Sequence, residues 1–317
     1  MSTASRVPET WELTGDDARK TLASTGRARL LKDSLVRLRR ADGTSHSRSL
    51  AFVTSLVLVQ GLIVIVGFAA AFGSSSVSNV IVDAIRSAAP GPAGDVLTGA
   101  VKQARSVGAQ DQYLVLVIGL FGTMLTATTL MGQLERGLNR VYGVERDRPF
   151  LQKYGLAFLL ALSAGAAIAS AFVLLAFGRQ LGTSGSGTVN AVWVVVRWPL
   201  AVGLVAVGLA ILFRWSPNRR QPGRAWLAFG SGIAVLLWSL STIGLAIGFR
   251  LSSSFGETYG PLAGIVALQI WTFVSALSIF YGAAVAAQLE AVRAGVPAPA
   301  TARGVVPAAG ARAGTTG

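Results

Sequence analysis

Apolar residues along this chain neither alternate nor keep to one helical stripe. They gather in continuous, almost uncharged runs at about 50–72, 113–134, 154–178, 189–213, 225–249 and 261–285. A hydrocarbon core roughly 30 Å thick is crossed by about 20 residues at 1.5 Å rise each, and every run meets that length. A transmembrane barrel would instead need strands of about ten residues with alternating polarity. The pattern therefore predicts an all-α, polytopic membrane protein with six transmembrane helices.

The intervals between the runs carry patterns of their own. In 27–40, "RARLLKDSLVRLRR", Leu31, Leu35 and Leu38 form one stripe among six cations. This suits a short helix lying along the inner leaflet; a solvated basic tail is the plainer alternative. In the long connection 73–112, Val77, Val80, Ile81, Ala84 and Ile85 suit one amphipathic helix, and Val96, Leu97, Ala100, Val101 and Ala104 a second. Leu134, Leu138, Val141 and Tyr142 keep helical spacing, so the second span should run on beyond the bilayer. Pro149 then marks the start of the third helix, where its missing N–H is harmless. Residues 291–317, rich in Ala, Gly, Pro and Thr without periodicity, read as a disordered tail. Three parts follow: a basic segment 1–49, a six-span domain 50–290 and the tail 291–317.

Charge adds orientation. Segment 1–49 holds ten Lys and Arg residues, 135–153 five, 214–224 four and 291–317 three, making 22. The alternate connectors hold five, and Arg197 lies inside the fourth run. Cations retained on the cytoplasmic side give this alternation, so both termini are expected in the cytoplasm. The net charge of +14 thereby points to anionic headgroups at that face, not to nucleic acid.

Inside the spans a few residues break the apolar monotony. Arg197, in "VWVVVRWPL", either snorkels toward the outer interface beside Trp193 and Trp198 or faces a cavity. Pro199, two residues on, would free a backbone carbonyl one turn earlier. Gln60, Gln269 and Thr126, the last in a cluster with Thr123, Thr128 and Thr129, are candidate pathway or interhelical hydrogen-bonding groups. Helices in lipid associate through small residues, and Gly244 with Gly248, and Ser278 with Gly282, are the candidate seams. Glu135 and Glu290 end the second and sixth runs in the same triplet, Gln-Leu-Glu, which could mark a parallel internal repeat.

Composition narrows the chemistry. Cysteine is absent and His46 is the sole histidine; it is expected as a solvated loop residue. No carboxylate lies within a span, which disfavours a proton relay, and no GxxxxGK[ST] phosphate loop occurs. No cofactor or metal is expected.

Three stretches resemble the YihY/virulence factor BrkB family. They are "LERGLNRVYGVERDRPFLQKY", with Glu135, Asn139, Tyr142, Gly143 and Pro149; "LFRWSPNRRQPGRAWLAFGSGIAVLLWSL", with Pro217 and Arg219; and "YGPLAGIVALQIWTFVSALSIFYGAAVAAQLE", with Tyr259, Gly260 and Glu290. Together they cover the second to sixth spans in order, about two-thirds of the chain. The first span, "LAFVTSLVLVQGLIVIVGF", departs from the family's aromatic, Ser- and Pro-containing pattern. The resemblance implies a multi-pass protein of the inner membrane with cytoplasmic termini, and brings no catalytic residues. An older ribonuclease BN label attaches to the family. One histidine and no clustered carboxylates are poor means for phosphodiester hydrolysis, so a non-enzyme is expected. Transport of a small solute, ion or lipid leads; a membrane assembly or envelope-maintenance factor, docking partners through 76–107, is the alternative. Protein partners and oligomeric state stay open, a homo-oligomer included.

Overall fold

A computed structural model describes residues 4–10, 12, 15–71, 75–108, 112–183, 187–252, 255 and 258–299. Among the described residues ten α-helices of full definition follow one another: α1 Gly15–Thr25, α2 Arg27–Arg40, α3 Gly43–Ala71, α4 Ser75–Ala88 and α5 Pro92–Gly108. Then come α6 Gln112–Val141, α7 Phe150–Thr183, α8 Gly187–Trp215, α9 Arg224–Leu251 and α10 Ala263–Arg293. Among the described residues six helices, α3 and α6 to α10, are long and apolar enough to cross a membrane. They coincide with the six runs, and all six continue into the polar flanks. As the sequence predicts, α6 runs on to Val141, Pro149 immediately precedes α7, and α4 and α5 occupy the long connection.

The six long helices close a ring in chain order: α3 packs on α6, α6 on α7, α7 on α8, α8 on α9, α9 on α10, and α10 back on α3. Among the described residues α10 also touches α6, its second neighbour around the ring, on the far side of α3. Two cores fill the ring at different levels. At one end Leu138, Leu160, Phe213, Leu227, Val235 and Phe280 form a single buried cluster. Toward the other end α5 inserts Ala93, Leu97, Val101 and Ala104 against Ala267, Leu268 and Trp271 of α10. The α4–α5 hairpin also touches α3, α6 and α7, and its Gly91 turn (φ 44°) abuts Phe249 of α9.

The N-terminal segment and the connectors 142–149 and 216–223 gather around the end of α10, forming the basic end of the molecule. Arg37 meets Gln288 and Tyr281 meets the Leu31 carbonyl. Spacings of six residues on α2 and seven on α10 set these helices side by side. So α2 docks on the bundle with Leu30, Ser34, Arg37 and Leu38 buried, and the expected stripe is split: Leu31 and Leu35 stay exposed while Leu38 is covered.

Three further expectations are corrected. His46 is no loop residue: it lies in α3, half-buried, its ring 6.3 Å from that of Phe280. The tail does not begin at 291, because α10 continues to Arg293, the Pro297 carbonyl accepts from Gln288, and the carbonyls of Ala298 and Pro299 accept from Ser5; residues 300–317 fall outside the described ones. Gly244 and Gly248 form no seam within the chain, since a Cβ at either would meet open space. The α9–α10 crossing lies instead at Gly230 and Gly282, where a Cβ on Gly230 would approach the Gly282 carbonyl to 2.9 Å.

Candidate functional site: a buried ion-pair cluster at the basic end

Helix α6 ends at the basic end through Gly143, whose φ of 69° few residues tolerate. The Val144 N–H returns to the Asn139 carbonyl and the Gly143 N–H to that of Arg140, the double bond of a Schellman stop. The turn also makes room for the N-terminus: a Cβ on Gly143 would lie 2.6 Å from the Arg6 Cα. There the Val7 N–H donates to the Tyr142 carbonyl at 3.1 Å.

Glu290, 1% exposed, is the centre of the cluster. Arg219 donates to it from both terminal nitrogens, at 2.7 and 2.9 Å, and Thr10 adds a hydroxyl at 2.6 Å. Two parallel bonds from a planar guanidinium match a carboxylate in geometry as well as charge. Arg219 is 4.7 Å from the centre of the Tyr142 ring, a cation–π contact, and also donates to the Pro8 carbonyl. Burial holds the Tyr142 phenol above its usual pKa, so it stays neutral.

Arg37, fully buried, is held by neutral acceptors: Gln288 Oε1 at 2.8 Å and the carbonyls of Ser5 and Val141. Burial lowers its pKa to about 10, against the favourable field of Glu290; it remains charged at neutral pH.

A second pair repeats the design. Glu135, closing the apolar part of α6, lies 3.3 Å from Arg148. Arg148 also donates to the carbonyls of Trp215, Ser216 and Pro217, the open carbonyl end of α8, which favours a cation. Asn139 joins the two connectors: its amide donates to Asp147 at 2.9 Å, and its oxygen accepts the Asn218 N–H at 2.7 Å. Burial opposes the Asp147 carboxylate, but Asn139, Lys153 and Arg136 outweigh it and hold its pKa below the usual range.

The structure therefore brings Glu135, Asn139, Tyr142, Gly143, Pro149, Pro217, Arg219 and Glu290 to one end. Tyr259 and Gly260 lie at the other, where the Tyr259 ring meets that of Phe255 at a tilt, 4.8 Å between centres, and Gly260 takes a φ of 49°. The intramembrane candidates divide as well. Thr126 donates to Gln60 across α6–α3, and Ser55 donates to Gln269 across α3–α10 at 3.2 Å. Arg197 is elsewhere, on α8, its Nε and Nη1 buried without a hydrogen-bond partner. Ser278 bonds its own helix through the Val274 carbonyl.

A family model for the virulence factor BrkB matches residues 34–304. The chain belongs to that family. Its BrkB-family relatives include a ribonuclease-like protein, YfkH, of Bacillus subtilis, 25% identical over 82% of this chain and 94% of its own. A UPF0761 membrane protein of Verminephrobacter eiseniae is 28% identical over 96% of this chain and 70% of its own. Another, of Idiomarina loihiensis, is 25% identical over 57% of this chain and 64% of its own. No solved structure matches. This BrkB-family chain is thus a multi-pass membrane protein, and its two buried ion pairs join the family-like ends of α6 and α10 to the connectors 142–149 and 216–223.

Proposed function

We propose that this chain is a permeation or transport protein, with the basic end facing the cytoplasm as the inner closure and the α4–α5 hairpin as the outer one. The observation that carries the reading is the ring itself. Helices packed about 8–10 Å apart in a ring of six have their axes about that same distance from its centre. Since a helix with side chains is about 5–6 Å in radius, the middle stays open except where a helix leans in, as α10 does where it contacts α6. At the basic half large side chains fill it. In the opposite half the hairpin enters, and burial is thin: no residue of 117–131 on α6 or of 236–251 on α9 is fully buried.

Polar groups accompany the looser half. Gln60, Thr126, Ser55 and Gln269 link α3, α6 and α10 there. The hydroxyls of Thr98 on α5 and Thr123 on α6 are buried without partners, a condition that water relieves. The absence of carboxylates from the apolar runs suits passive flux or exchange better than proton coupling. The assembly-factor alternative loses support because the apolar face of α5 is spent on α3 and α10.

Reconstitution tests the reading. Protein in liposomes should give flux of at least one class among anions, osmolytes and lipids. Gln60→Leu with Thr126→Val should reduce that flux several-fold while Gly244→Leu leaves it intact. Leakage equal to that of empty liposomes for every class would refute it.

A further inference from the structure

The basic end carries a cleft of about 480 Å³ beside the ion-pair cluster, lined by Arg148, Arg214, Trp215, Arg219, Arg220 and Gln221. Four guanidiniums border it, and two are neutralised: Arg148 by Glu135 and Arg219 by Glu290. Arg214 and Arg220 are exposed and have no carboxylate within ion-pair distance among the described residues. Arg214 rests over the Trp215 ring, 5.8 Å from its centre. The cleft is therefore left with an uncompensated double positive charge.

A second feature is independent of that charge. Gln221 lines the cleft, is 8% exposed, and has neither amide atom hydrogen-bonded; it faces the Tyr142 phenol without meeting hydrogen-bond geometry. Arg219 Nε and the hydroxyl of neighbouring Ser216 are likewise buried and unpartnered. Buried polar groups in folded proteins are nearly always satisfied, and those left open call for a missing ligand or water. Of these, Gln221 and Arg219 line the cleft itself, beside the exposed Arg214 and Arg220.

We propose that this cleft binds a phosphate group, with Arg214 and Arg220 supplying the charge and the Gln221 amide a fixed donor. Planar guanidiniums match phosphate oxygens in pairs, and the carboxylates that would repel an anion are already covered by their own arginines. A phospholipid headgroup and a free phosphate share this chemistry. The site stands whether or not the ring conducts.

Full-length protein in uncharged detergent, titrated calorimetrically at fixed ionic strength, tests it. The probes are short-chain phosphatidylglycerol, short-chain phosphatidylcholine and inorganic phosphate. Saturable binding of the anionic lipid alone identifies a headgroup site, and binding of inorganic phosphate with similar affinity identifies a free-phosphate site. Replacing both arginines, Arg214→Gln with Arg220→Gln, should weaken binding roughly a hundredfold or more, since two charge-assisted contacts are lost. Neither arginine belongs to a buried pair, so thermal melting should be unchanged; Arg220→Gln alone serves if the double variant does not fold. Gln221→Leu, which alters no charge, should also weaken binding, whereas Arg27→Gln on α2 should not. Absence of saturable binding, full affinity in the arginine variants or in Gln221→Leu, or equal binding of phosphatidylcholine would overturn the proposal.

Discussion

Removing the carboxylate of Glu290 would leave Arg219 charged and dry, with only the Pro8 carbonyl and the face of Tyr142 beside it and Arg37 nearby. Breaking one side of a buried pair costs about 3–5 kcal/mol, whereas replacing both sides with packed apolar groups is often close to neutral. Glu290→Gln should therefore lower stability by roughly that amount, and Arg219→Met combined with Glu290→Leu should recover most of it. Unfolding in detergent, followed by helix signal, measures both. A single variant as stable as the parent would show that the pair is not dry. Asp147 gives a pH dependence. Its pKa is lower in the folded chain than in the unfolded one, so its contribution is complete above the ordinary carboxylate range and is lost as pH falls through the folded value. Melting measured between pH 6 and pH 3 should fall more steeply for the parent than for Asp147→Asn, and parallel curves would contradict the assignment. The sequence made Glu135, Arg219 and Glu290 visible through their family-like stretches, but not what they bond. Arg37 went unseen among six cations, although 30, 34, 37, 38 and 41 keep helical spacing. A cation on such a stripe is the signal that finds it.

Helix packing shows a different limit. The spacing of Gly244 and Gly248 matches a packing motif as well as Gly282 does, but spacing alone does not say which face of a helix has a neighbour. Contact decides: a Cβ at Gly282 would lie 2.7 Å from that of Ala234, and one at Gly244 would meet nothing. Gly282→Leu should separate α9 from α10 and cost more than the 1–3 kcal/mol typical of overpacking a core. Gly244→Leu should alter stability by about 0.5 kcal/mol or less, as at other unpacked surface sites. Comparable losses in detergent melting for the two would contradict this assignment. The elements themselves were legible almost entirely, because hydrocarbon demands long apolar helices and leaves few alternatives. Apart from α6, their ends at the basic side were read too short, since the helices continue into polar residues that only tertiary partners cover. The two faces of α2 escaped for the same reason.

For the whole molecule, sequence order and spatial order agree: consecutive spans are neighbours, and the last span returns to the first. That closure is not encoded in hydropathy, which counts spans without arranging them. The ring places the polar groups of α3, α6 and α10 on its less filled half and the charged cluster at its dense end. The account depends on water reaching those polar groups from the side opposite the basic end. The absence of cysteine makes this directly measurable, because a thiol reacts as its thiolate and so requires water. Single cysteines at Thr126 and at the exposed apolar neighbour Leu125, in membranes of defined orientation, would be treated with a charged, impermeant maleimide. The ring account predicts labelling at 126 from the extracytoplasmic side and little at 125. Protection of both positions from both sides, or equal labelling of the two, would contradict it.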